Sequence, residues 1–201
     1  MKKMVSLLSI AFLMFSSCDV VKDLGKQALG TYQLTQCKYE FNSISSVALS
    51  GINLQNITSL TSLNPLDLIK LTSAFATSGG TLPINFTLNL DVTNPGMQAA
   101  LLNGLDYVME IDGRQMTTGS IAQRLQIDGG KKSVLPINMA FDLKQVLSGQ
   151  SLESIKNIAL SLAGISGGSS NVTMKLQPSF VVGNQTLKTP SYIPLSFQLK
   201  K

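Results

Sequence analysis

Leu82-Pro83-Ile84-Asn85-Phe86-Thr87-Leu88-Asn89-Leu90-Asp91-Val92-Thr93 decides the fold class. Leu82, Ile84, Phe86, Leu88, Leu90 and Val92 alternate without a break with Pro83, Asn85, Thr87, Asn89, Asp91 and Thr93. Successive side chains of a strand point to opposite faces, so unbroken alternation means one face in a core and one in water, the habit of antiparallel sheets. Working outward, the same period runs through Leu105, Tyr107, Met109 and Ile111, and through Leu135, Ile137, Met139, Phe141 and Leu143. It returns at Val172, Met174 and Leu176 and at Ile193, Leu195, Phe197 and Leu199. Weaker runs at Tyr32 to Phe41, Ser46 to Leu54 and Ile121 to Ile127 bring the expectation to about eight strands. Turn chemistry falls between them at Asn94-Pro95-Gly96, Asp112-Gly113, Asp128-Gly129-Gly130 and Gly183-Asn184. The pattern is mainly β, an antiparallel β-sandwich.

Two stretches break the alternation. Asn64-Pro65 followed by Leu68, Leu71 and Phe75 supplies a cap, a proline at the first helical position and apolar spacings of three and four. Ser151 to Ala163 places Leu152, Ile155, Ala159 and Leu162 on one face, with Glu153 in the first turn and Gly164 as a stop. Both read as amphipathic helices inserted between strands.

The N-terminus reads as processing, not fold. Lys2-Lys3, the apolar run Met4 to Phe15 and Ser16-Ser17 before Cys18 have the layout of a secretory signal over residues 1–17, too short for a comfortable span. Small residues directly before a cysteine at the end of the apolar run resemble a bacterial lipoprotein signal. The resemblance implies lipid on Cys18, which becomes the first residue of the mature chain. Phe15 stands where that signal usually has Leu, a relaxed form familiar in the Bacteroidetes. The alternative is ordinary secretion with a coincidental cysteine. The lipoprotein reading implies a bacterial cell envelope location, with the outer membrane as the expected membrane and either the periplasmic or the surface side open. Residues 18–30 then form a tether, and 31–201 a single domain.

Composition narrows the chemistry. Of 201 residues 44% are hydrophobic and 13% charged, with two Cys, no Trp, no His and a net charge of +5. Soluble domains carry about 25% charged residues, so a disordered charged chain is excluded. Without His, triads and zinc hydrolases of the usual kinds are out. Removing 17 residues and two lysines from the 201 leaves 184 residues and takes the charge from +5 to +3. No Lys/Arg cluster with interleaved aromatics remains, so no nucleic-acid partner is expected. With Cys18 carrying lipid, Cys37 has no disulfide partner and reads as a small buried hydrophobe. Ser166, in Gly164-Ile165-Ser166-Gly167-Gly168, lacks a strand-to-helix context and a His base. Asp106, Glu110 and Asp112 share a face by the period of two and on paper could pair or hold calcium, but the reading preferred is a solvated outer face. No catalytic residue, metal site or cofactor is expected.

From Phe86 to Leu143 the chain resembles the group-2 late embryogenesis abundant (LEA) family, which includes the water-stress and hypersensitive-response (WHy) domain. The resemblance is carried by Leu88 to Gly96 (LNLDVTNPG), Leu105 to Gly113 (LDYVMEIDG), Gly119 and the returning strand Leu135-Pro136-Ile137-Asn138-Met139. It implies an immunoglobulin- or fibronectin-like sandwich, a link to stress tolerance or binding, and no enzymatic residue. Its marker positions, Asn94, Pro95, Tyr107, Gly113 and Gly119, are structural: Pro95 cannot donate to a ladder, Asn94 accepts into the turn, Asp112-Gly113 supplies positive φ, and Tyr107 buries its ring and keeps its hydroxyl for a partner. The expected role is a membrane-anchored, non-catalytic envelope lipoprotein with a stress-protein-like sandwich that binds or stabilises envelope components, its partners being the membrane through Cys18 and an unknown envelope protein or hydrophobic ligand. The alternative is a carrier holding a lipid or other hydrophobic ligand between helix and sheet. The inward residues Leu88, Leu90, Met139, Phe141, Ile155 and Leu162 discriminate the two, by filling the interior or lining a void.

Overall fold

Alternation becomes ladder as the sequence requires. In the structure, a computed structural model that describes residues 33–77, 79–165, 169–182 and 184–199, Pro83–Thr93 forms the centre of one sheet. The signal, Cys18, the whole of the tether and Ser166 lie outside the described residues. The strands are β1 (Lys38–Leu49), β2 (Ile52–Asn53), β3 (Pro83–Thr93), β4 (Ala100–Leu102), β5 (Gly104–Ile111), β6 (Arg114–Ile121), β7 (Leu125–Ile127), β8 (Lys132–Asp142), β9 (Ser170–Val182), β10 (Gln185–Lys188) and β11 (Ile193–Leu199). The helices are α1 (Pro65–Ala76), α2 (Leu143–Val146) and α3 (Leu152–Leu162), with a 3-10 turn at Leu60–Ser62.

One sheet runs β2-β1-β3-β8, and β3 pairs with β8 in unbroken register from Pro83 opposite Asp142 to Thr93 opposite Lys132. The other runs β10-β9-β5-β6, with β11 beside β10 on the outer edge of β9. Read as A, B, C, C′, E, F and G, strands β1, β3, β5, β6, β8, β9 and β11 give the ABE and GFCC′ sheets of an immunoglobulin-like sandwich. Among the described residues all pairings are antiparallel.

The inward residues of β3, β5, β8 and β9 form one continuous apolar cluster with α3, almost all of them fully buried and Phe141 partly buried against it. Across the sandwich Phe41 of β1 stacks on Phe197 of β11, ring centroids 4.1 Å apart. Within the first sheet Phe86 meets Phe141 edge to face at 6.0 Å.

The sequence reading needs correction in four places. The runs Tyr32 to Phe41 and Ser46 to Leu54 are not two strands. Residues 33–36 are helical, and Lys38–Leu49 is one strand whose register against β3 slips at Asn42 and again at Ser46-Val47. Each bulge shifts the side-chain phase and hides the continuity. The run Ile121 to Ile127 spans the end of β6, a break and β7. The strand from Leu135 ends at Asp142, not Leu143, because the Asp142 carboxylate caps α2. Its Oδ1 accepts from the amides of Lys144 and Gln145 at 2.9 and 3.1 Å, and its Oδ2 from Leu82 N at 3.0 Å. Finally, β6, β4 and β10 are strands that no alternation announced.

The two inserted helices form where the caps place them. Asn64 Oδ1 accepts from Asp67 N at 2.8 Å with Pro65 at the first position, and Ser151 Oγ accepts from Ser154 N at 3.2 Å. At the other end of α1, Lys144 Nζ donates to the carbonyls of Ala74 and Thr77 at 2.6 and 2.7 Å. α1 leads into the start of β3 and α2 leaves the end of β8, so the helices gather at one end of the sandwich, opposite the Asn94 turn.

Candidate functional site

Asn94 directly follows β3 and is fully buried. Its amide nitrogen donates to Gln98 O at 2.7 Å and Ile127 O at 2.9 Å, and its Oδ1 accepts from Gly96 N at 3.0 Å. Its backbone donates to Lys131 O at 2.9 Å and accepts from Gly130 N at 3.0 Å. Acceptance into the turn was legible in the sequence; the two donated bonds, which hold the short β4–β7 ribbon across this end, were not. Every polar atom of a buried amide is thereby satisfied, which is the condition for burying it at all.

Tyr107 of β5 and Gly119 of β6 are direct cross-strand partners. A β-carbon on Gly119 would lie 2.5 Å from the Tyr107 hydroxyl and 2.6 Å from Cζ, so the phenol occupies the space that a side chain on this edge strand would need. The hydroxyl expected to seek a polar partner is spent on covering a glycine, and burial raises its pKa. Asp112 and Gly113 have φ of +48° and +76°, the two positive values of a type I′ hairpin. Asp112 Oδ1 also accepts from Asn171 N at 2.9 Å.

The acidic residues do not converge. Asp106 and Glu110 lie on the outer face of β5, whereas Asp112 stands beyond it in the turn. Asp106 is bonded by Lys188 and Ser120, and these bonds hold its carboxyl below the usual range. Glu110 pairs with Lys175, and Asp91 with Lys132 at 2.8 Å. Among the described residues no three of His, Cys, Asp and Glu group to hold a metal ion, and no helix is long and apolar enough to cross a membrane. Cys37 is buried, donates to Gln33 O at 3.4 Å, and burial pushes its thiol up to about 11, a protonated and unreactive state at neutral pH.

Of the residues that discriminate packing from a void, Leu88, Leu90, Met139, Ile155 and Leu162 are buried within the core and Phe141 is partly buried against it; Met139 and Leu162 also border open depressions. The concave features lie at the two ends. Between α1 and α3 runs an apolar groove of about 330 Å³ over Leu68, Leu71, Phe75 and Leu152, rimmed by Glu153 and Lys156. Leu66 and Ile69 beside it are 70% and 63% exposed. At the Asn94 end a hollow of about 520 Å³ lies between the β4–β7 ribbon and Phe180 and Val181 near the end of β9. The apolar faces of α1 and α3 follow from the spacing of Leu68, Leu71, Phe75 and Leu152, but that the two meet in a groove, and that β4, β7 and β9 enclose a hollow, is set by topology and has no local pattern.

The chain matches no protein-family model and no curated protein. Among solved structures it is similar to a protein from Archaeoglobus fulgidus at 9% identity and TM-score 0.38, over 81% of this chain and 98% of that one. A solution structure from Arabidopsis thaliana is similar at 16% identity and TM-score 0.36, over 57% and 67%. A solution structure described as a late embryogenesis abundant protein is similar at 14% identity and TM-score 0.36, over 94% and 86%.

Proposed function

We propose that this chain is a non-catalytic bacterial lipoprotein: a β-sandwich with a stress-protein-like build, held at an envelope membrane by lipid on Cys18, that works by binding or stabilising another envelope component. One observation carries the non-catalytic half. Asn94, Pro95, Tyr107, Gly113 and Gly119, the positions on which the LEA-like resemblance rests, all serve turns, strand ends and packing. None presents a nucleophile, a base or a ligand set to a cleft. The anchoring half rests on the order Lys2-Lys3, apolar run, Ser16-Ser17, Cys18. A carrier role is the second reading, and the groove between α1 and α3 favours it over a cavity under the sheet.

Native mass spectrometry of the purified protein separates the two. The binding reading expects no lipid seated in the α1–α3 groove, so that any lipid beyond the N-terminal one persists in Phe75→Asp; a co-purified lipid lost in Phe75→Asp would establish the carrier instead.

A further inference from the structure

The two ends of the sandwich differ in chemistry, and the path of the chain says which one meets the membrane. The described chain starts at Gln33, whose side chain lies against Gly96 in the space a β-carbon would take. Polypeptide therefore enters at the Asn94 end, and α1 and α3 lie at the other. Between Cys18 and Gln33 there are 14 residues, at most about 50 Å when extended. Bringing the helix end to the bilayer would use most of that length, since the eleven residues of β3 alone cover about 36 Å. The entry end needs none of it.

That end is built as a membrane-facing surface is. Met97, at the tip of the turn after Pro95, is 94% exposed. Leu101, which lines the hollow, and Leu187, the cross-strand partner of Phe180, are exposed as well. The hollow has an apolar floor of Leu101, Leu102, Leu125, Phe180 and Val181, with Arg124 at its edge. Arg124 Nε donates to Asn103 Oδ1 at 3.2 Å, which holds the guanidinium in place and leaves its two terminal nitrogens without a bonded partner among the described residues. Lys38 and Lys131, exposed at the same end, also form no ion pair among the described residues, whereas Lys132 and Lys188 are already paired with Asp91 and Asp106. An apolar slot with a fork of donors at its mouth suits an acyl chain and its phosphate together.

We propose, resting on the anchored reading, that the Asn94 end lies on the bilayer that holds Cys18. Met97 enters the headgroup layer, and the hollow binds an anionic phospholipid of that bilayer, phosphate on Arg124 and acyl chain along Leu125 and Phe180. The lipid tether then sets distance, and this contact sets orientation, presenting the α1–α3 groove away from the membrane.

The test uses the full acylated protein in vesicles of phosphatidylethanolamine and phosphatidylglycerol that contain a headgroup quencher. A fluorophore is placed in turn at Met97→Cys and at Ile69→Cys, the buried Cys37 being left untouched. Position 97 is expected to be quenched several-fold more than position 69. Arg124→Glu with Lys131→Glu should abolish most of that difference while the protein stays on the vesicles through its lipid, and phosphatidylcholine vesicles should do the same to the unreversed protein. Equal quenching at both positions, stronger quenching at 69, or no effect of the charge reversal would overturn the proposal with the anchor intact. If position 97 is unquenched and the anchored protein sediments as a dimer after detergent extraction, the end is a contact between copies, which also overturns it. Absence of the protein from the vesicle fraction, together with no acyl mass on Cys18, sinks the anchored reading and this one with it.

Discussion

The Tyr107 phenol lies across Gly119, its cross-strand neighbour, with the hydroxyl where a β-carbon on residue 119 would stand 2.5 Å away. The pair explains why a glycine is tolerated in the middle of an edge strand: an aromatic from the next strand supplies the packing the glycine lacks. Gly119→Ala is expected to cost ~1–3 kcal/mol by forcing the ring aside. Tyr107→Leu should relieve part of that cost in the double variant, so a coupling energy in a urea double-mutant cycle checks the contact. Additive effects would mean the two side chains do not share the space.

Asn94 is the second structural hinge of the account. Asn94→Ala leaves the buried carbonyl of Ile127 without its partner, and removes with it the partly buried bonds to the Gln98 carbonyl and the Gly96 amide. The expected loss is ~2–4 kcal/mol, read as a lower urea midpoint. Asn94→Asp keeps the acceptor and loses both donors, so it should be no milder; a variant as stable as wild type would contradict the assignment.

Much of this framework could be read from the sequence, for physical reasons that also explain the gaps. The strands buried on one face over many residues, β3, β5 and β8, kept an unbroken period of two, and the caps Asn64 and Ser151 marked α1 and α3. β6 has Met116 as its one fully buried side chain and β10 none, so an edge strand and a solvent-facing strand left no period to find. In β1 the bulges at Asn42 and Ser46-Val47 reversed the phase twice. At the candidate site, Asn94 and Tyr107 were legible as turn and packing residues, but the hollow beside Arg124 arises from strands brought together by topology, which no local pattern records.

The stability of the fold should fall in alkali. Burial holds the Cys37 thiol protonated up to about 11, against an ordinary 9.0, and pushes the Tyr39 phenol higher still. Both pKa values are raised in the folded state, so the stability they contribute is complete below about pH 9 and is lost as pH climbs through the folded values, where the unfolded chain releases protons first. Between pH 9 and 11 the Cys37 share is on the order of 1–3 kcal/mol. Cys37→Ala should flatten that part of the curve of unfolding free energy against pH; an unchanged slope would show that the thiol does not titrate with unfolding.

Lys144 ties α1 to the sandwich by closing its last turn. Lys144→Met is expected to leave global stability within ~1 kcal/mol while the amides of α1 exchange faster, because two end carbonyls lose a charged donor. Hydrogen exchange at Leu71 to Ala76 is the readout. Unchanged protection there would mean α1 is held by Leu71 and its neighbours alone.

The anchored reading meets its most direct test at Cys18. Radiolabelled palmitate supplied to bacteria expressing the full chain should enter the wild-type protein and not Cys18→Ala, which should leave the membrane fraction. Failure to label the wild type, or equal labelling of Cys18→Ala, would contradict the lipoprotein account.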